Sequence, residues 1–161
     1  MLTINRSILI SAPREHVSEY LRDISRLSDY EQKVDHCTVT YPDKGTALAE
    51  VSGRYFGLPW RGSFKMSYTR DGGYHSEMLR GRPFKRATGG FQLRTVSGGT
   101  WITHEEQYHL PLTFRFLRPV VRRWLARTIE KELGVIKEGA ERLHRQRLIE
   151  DIEKDVQLDA R

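Results

Sequence analysis

Residues 119–143 read PVVRRWLARTIEKELGVIKEGAERL. Within them Val121, Leu125, Ile129, Leu133, Ile136, Ala140 and Leu143 recur at intervals of three and four. At about 100° per residue these positions form one continuous apolar stripe, which predicts a long helix with a single buried face. Such a face must be covered by another layer. Beyond Leu143, Leu148, Ile152 and Val156 keep a spacing of four but drift off the stripe. Residues 1–145 are therefore expected to form the domain and 146–161 a charged tail or helical extension.

What the helix covers is set upstream. From Val34 onward the chain is cut by turn chemistry at Tyr41-Pro-Asp-Lys-Gly45, Phe56-Gly-Leu-Pro59, Asp71-Gly-Gly73, Gly81-Arg-Pro83 and Ser97-Gly-Gly99. These breaks leave six strands, and turns this short join antiparallel hairpins. Trp60 to Tyr68 alternates most clearly, with Trp60, Phe64, Met66 and Tyr68 on one face and Arg61, Lys65 and Ser67 on the other. A one-residue slip would invert that face, so the alternation predicts aromatic side chains toward the helix and Lys65 in solvent. Thr3 to Ile10 reads as a further strand, ended by Ser11-Ala12-Pro13, where a serine cap and a first-turn proline predict a helix. Val17, Tyr20, Leu21 and Ile24 give that helix a buried stripe, and a second short helical stretch is expected over 25–32.

The order is strand, two helices, six strands, long helix. Ile8-Leu-Ile-Ser-Ala-Pro13 leading into Val17 and Tyr20-Leu21, then Gly99-Thr-Trp-Ile-Thr103, then Tyr108-His-Leu-Pro111 leading through Leu133, Ile136, Lys137 and Leu143, resemble one superfamily. It comprises START-related lipid-transfer domains, birch-pollen-allergen-type proteins and bacterial polyketide cyclases. The resemblance spans roughly residues 1–145 and rests on turns and packing positions, so it speaks to fold rather than activity. It implies an α+β helix-grip domain, a curved antiparallel seven-stranded sheet wrapped around the C-terminal helix. It also implies a cavity between the two for a lipid, isoprenoid or polyketide-like molecule.

Candidate residues follow from the faces. Trp60, Phe64, Met66 and Tyr68 suit an apolar lining, with Leu125 and Ile129 opposite on the helix and Arg122, in line with the stripe, at the mouth to meet an anionic head group. On the last strand His104, Glu106 and Tyr108 share one face while Trp101, Thr103, Glu105, Gln107 and His109 share the other. A His-Glu-Tyr row turned inward would orient a polar ligand end or move protons, and turned outward would be a solvated face; the sequence leaves the direction open. No metal or cofactor is expected, because the six histidines are scattered and no Cys/His spacing resembles a metal site.

Composition bounds the rest. With 38% hydrophobic and 30% charged residues the chain is globular, and no apolar run approaches the roughly 20 residues of a bilayer span. Ile8 to Ile10 is too short for the core of a secretory signal, and a lone cysteine, Cys37, forms no internal disulfide, so a cytoplasmic location and a structural thiol are expected. Of the net charge of +6, the segment from Pro111 to Lys131 carries +5 through Arg115, Arg118, Arg122, Arg123, Arg127 and Lys131 against Glu130. Arg123, Trp124, Arg127 and Lys131 form either a solvated face or a contact for an anionic membrane. Three functions remain: a carrier of an apolar small molecule, a cyclase or aromatase-type enzyme, and an RNA- or protein-binding module using the basic helix. DNA binding is not expected, and oligomeric state is not legible.

Overall fold

The computed structural model describes residues 1–84, 86–110 and 116–159, with side chains to 157. Strand β1 (Leu2–Ile10) is followed by α1 (Arg14–Arg22), a single 3-10 turn (Ile24–Arg26) and the short α2 (Leu27–Tyr30). Six strands come next: β2 (His36–Asp43), β3 (Thr46–Tyr55), β4 (Leu58–Tyr68), β5 (Tyr74–Arg82), β6 (Ala87–Val96) and β7 (Gly99–Tyr108). The chain closes with α3 (Arg118–Asp159), a helix of 42 residues.

All neighbouring strands are antiparallel, in the order β1-β7-β6-β5-β4-β3-β2. The first strand is thus carried to the far edge and zipped onto the last, Leu2 opposite Tyr108 and Ile10 opposite Thr100. This is the α+β helix-grip arrangement, a curved seven-stranded antiparallel sheet around the C-terminal helix. The five turn sites fall between the strands they were expected to separate. Within β4, Phe64 is half-buried and Met66 buried while Arg61 and Lys65 are exposed, so the aromatic face is inward.

The stripe on α3 is buried as its period requires. Val121, Leu125, Ile129, Ile136 and Ala140 are fully enclosed, Leu133 nearly so, and Leu143 half-buried. The helix packs against β1, α1 and α2. From Leu148 to Gln157 every side chain is exposed, including Leu148, Ile149, Ile152 and Val156, so this stretch is helical yet adds nothing to the core.

The α1 start differs from expectation in detail. Pro13 occupies the cap position with no side-chain cap hydrogen bond, and its carbonyl accepts from the His16 and Val17 amides. The Ser11 amide donates instead to Glu141 on α3 (2.8 Å), so the segment is tied to the long helix rather than to its own first turn.

Candidate functional site

The inward face of β7 carries Thr100, Ile102, His104, Glu106 and Tyr108, all buried. Alternation puts the last three on one side of the strand, and the pairing of β7 with β1 and β6 turns that side toward α3. Phe91, opposite His104 on β6, stacks on its ring at 4.0 Å between centroids.

Facing this row is the connection between α2 and β2. It is held by the Glu31 amide to the Leu27 carbonyl (2.8 Å), the Asp35 amide to Ser52 on β3 (2.9 Å), and the Trp60 indole to the Lys33 carbonyl (2.6 Å). Gly53 makes this approach possible, since a Cβ there would lie 2.1 Å from the Lys33 carbonyl oxygen. So pinned, Lys33 turns its side chain inward and is almost completely buried. Its ammonium contacts three carboxylates, Glu31 at 2.5 Å, Glu132 at 2.7 Å and Glu106 at 3.1 Å. Glu132 comes from the buried face of α3 and is fully enclosed.

The electrostatics follow from this geometry. Burial alone would depress the Lys33 pKa, but the carboxylates of Glu106, Glu132 and Glu31 outweigh it and hold the ammonium protonated, well above the ordinary lysine value. Burial, helped by Glu31, raises the Glu132 pKa against the pull of Lys33. His104 is pushed down to about 3, by burial and by Lys33, so its imidazole is neutral. Five polar atoms here have no hydrogen-bond partner among the described residues: Glu31 Oε1, His104 Nδ1, Glu106 Oε2, Glu132 Oε2 and the Tyr55 hydroxyl. His104 Nδ1 faces Glu132 Oε2 at 3.6 Å, beyond hydrogen-bond reach.

The cluster forms part of the wall of a cavity that is otherwise apolar. Val51, Trp60, Phe64, Met66, Met78 and Phe84 are among its apolar lining residues, and Glu31, Lys33, His104, Glu106, Tyr55 and Tyr108 among its polar ones. The centre of a water molecule has about 60 Å³ in which to move inside it. One water needs roughly 10–15 Å³ on that measure, so the space suits a slender chain or a single ring. A bulkier guest requires Met66 and Met78, the flexible side chains of the lining, to change rotamer.

The sequence-derived candidates divide accordingly. Trp60, Phe64, Met66, His104, Glu106 and Tyr108 all line the cavity. Tyr68 does not: its hydroxyl donates to the Arg22 carbonyl (2.9 Å) and its ring lies under the Arg22 guanidinium, at the end of α1. Leu125 and Ile129 are enclosed in the core and are not part of the lining, and Arg122 is exposed and likewise not among the lining residues. Arg123, Arg127 and Lys131 are exposed, whereas Trp124 is half-buried against Tyr55 and Phe56 (4.9 and 5.5 Å between centroids). Pro111, Phe114 and Arg115 lie outside the described residues. Cys37 is half-buried, its thiol pushed up to about 11 by burial, which suits a structural role.

Sequence reasoning missed Glu31, Lys33 and Glu132, and with them a potential ligand set. Donor atoms of Glu31, His104, Glu106 and Glu132 all lie within 4.8 Å of one another, although no Cys/His spacing announced them. The Lys33 ammonium already touches all three carboxylates, as a bound cation would.

His104 gives a direct check. Its folded-state pKa lies below the unfolded value of about 6.5, so between the two the unfolded chain binds more protons. This contribution to stability is whole above about pH 6.5 and is lost as the pH falls toward the folded value. In histidine-resolved NMR, the His104 ring should show no titration between about pH 8 and 5. A midpoint inside that window would mean the ring is hydrated or paired differently.

Comparison with known proteins agrees with this architecture. Among solved structures, a protein from Thermus thermophilus superposes with a TM-score of 0.75 at 19% identity, over 86% of this chain and 96% of that one. A START superfamily protein from Mycobacterium smegmatis gives 0.71 at 12% identity, over 88% and 98%. The Zhui aromatase/cyclase from a Streptomyces species gives 0.67 at 14% identity, over 87% and 93%. Identities this low establish the fold alone. Among curated proteins, none matches the chain by sequence. The family model described as polyketide cyclase / dehydrase and lipid transport matches residues 1–141, and the chain therefore belongs to that family.

Proposed function

We propose that this protein binds and carries a slender apolar small molecule, with the polar end of the guest set against the Lys33–Glu31–Glu106 wall. One observation carries the reading: an apolar cavity whose polar side holds buried charged groups with unpartnered atoms. Such a wall is costly to fold, because desolvated charge stabilises little by itself. Apolar walls with a few placed polar groups are the ordinary make-up of a ligand site. Native mass spectrometry of the freshly expressed protein should show a co-purifying small molecule that a Phe64→Trp substitution, filling the cavity, displaces. An unliganded mass, together with unchanged tryptophan fluorescence across a panel of apolar compounds, would remove the carrier reading.

A cyclase-type enzyme is the second reading, favoured by the neutral imidazole of His104 beside Glu106 on the cavity wall. It expects turnover of a polyketide chain that His104→Gln abolishes while leaving affinity within severalfold. The carrier expects binding without turnover, so product analysis of the same incubations separates the two.

Loading at an anionic membrane fits the exposed Arg118, Arg122, Arg123, Arg127 and Lys131 on α3. The apolar contact beside them falls to Phe116 (77% exposed) and Val120 (53%), since the Trp124 ring is engaged by Tyr55 and Phe56. Each cation near such a surface contributes about 1 kcal/mol. Flotation with anionic vesicles should therefore be strong at low salt and collapse when Arg123 and Arg127 are reversed to glutamate. Equal, negligible flotation with neutral and anionic vesicles would remove the membrane. Among the described residues no helix is long and apolar enough to cross one.

A further inference from the structure

We infer that the end of the guest held at the buried cluster is a hydrogen-bond donor, a hydroxyl, phenol or protonated amine, and that the cavity refuses carboxylate and phosphate head groups. This rests on the carrier reading and narrows it to a chemical class.

The argument is a count of donors and acceptors. The Lys33 ammonium donates a hydrogen bond to Glu132 (2.7 Å) and is ion-paired with Glu31 at 2.5 Å and Glu106 at 3.1 Å. Three carboxylates already surround this one cation, so an anionic guest meets no uncompensated positive charge there. Among the atoms left over on the lining are Glu106 Oε2 and Glu31 Oε1, carboxylate oxygens that only accept. The Tyr55 hydroxyl, also unpartnered on the lining, gives as well as takes, which matches a hydroxyl or phenol.

Charge points the same way. One lysine faces three carboxyl groups in a space shielded from water, and an incoming carboxylate would place another negative charge beside Glu106. Like charges at such distances repel far more strongly in a protein interior than in water. An ammonium or hydroxyl instead satisfies Glu106 Oε2 and adds no anion. A divalent metal would use the same acceptors, but Lys33 already sits against all three carboxylates.

Isothermal titration of the protein at neutral pH with decylamine, decanol and decanoate tests this, because the three differ only at the head. Decylamine and decanol should bind at least about tenfold tighter than decanoate. Glu106→Gln should narrow the gap between decylamine and decanoate severalfold while leaving decanol within severalfold. Where that variant fails to fold, the wild-type series alone decides. Decanoate binding as tightly as the other two overturns the donor assignment and leaves the carrier reading standing. Absence of binding by all three, with no co-purifying ligand, removes the carrier reading and this inference together. Tight binding of Mn²⁺ alone, abolished by Glu132→Gln, overturns the inference by making the cluster a metal centre.

Discussion

Lys33→Met should destabilise the protein by about 3–5 kcal/mol at neutral pH, because it strands buried carboxylates that no other cation among the described residues reaches. The methionine fills most of the lysine's volume, so the loss is electrostatic rather than a cavity. The pH dependence carries the sign. Without the ammonium, the buried carboxyl groups can be accommodated only by taking up protons, and Glu132, which burial already raises, moves further above the unfolded value of about 4.3. Stability gained from such a group is present below the unfolded value and is lost as the pH rises through the folded one. The deficit relative to wild type should therefore shrink on acidification, helped by the wild type itself losing ion pairs as its carboxylates protonate. Glu132→Gln in the Lys33→Met background should recover part of the loss, since it removes one of the stranded charges; a double-mutant cycle measures the coupling. Urea denaturation of the set at neutral and mildly acidic pH reads all of this. A Lys33→Met protein as stable as wild type, or a deficit that does not change with pH, would mean the cluster is hydrated and not held by the lysine.

The long helix and the hairpin ladder were legible because each is a periodic signal, and burial of the α3 stripe and the inward face of β4 followed directly. Glu132 was legible by the same arithmetic. It stands three residues after Ile129 and four before Ile136, within the stripe, and a carboxylate in phase with a buried face is a site signal. It was lost among charges read as wet. Lys33 gave no such signal. It lies in a connection between elements, where charge is ordinary, and only the fold brings that connection against β3. Gly53 inside a strand marks a close backbone approach, but nothing local says which segment approaches. The inward direction of His104, Glu106 and Tyr108 was undecided because polar residues occupy both faces of β7; pairing with β1, where Ile4 opposes Glu106 and Ile8 opposes Ile102, settles it. Arg122 shows the limit of phase. It stands at the edge of the stripe next to the enclosed Val121, and its long stem lets the guanidinium reach water.

Leu133→Ala and Ile136→Ala should each cost about 2–5 kcal/mol, toward the upper half if the surroundings cannot collapse. Both side chains are enclosed on the core side of α3, and neither borders the cavity, so truncation opens a new void among groups that lose their contacts. In a chain of this length that corresponds to a fall in unfolding midpoint of roughly 4–20 °C. Phe64→Ala is the internal control. Phe64 is half-buried and already borders open space, so its truncation enlarges an existing cavity rather than creating one, and should cost less than either helix substitution while admitting a bulkier guest. The comparison distinguishes two versions of the domain. If the helix substitutions are the expensive ones, α3 is the solid half of the core, and ligand specificity is set by the wall of β4, β5 and β7. If both fall below about 2 kcal/mol while Phe64→Ala matches them, the space for the guest continues beneath the helix and Leu133 and Ile136 belong to its lining.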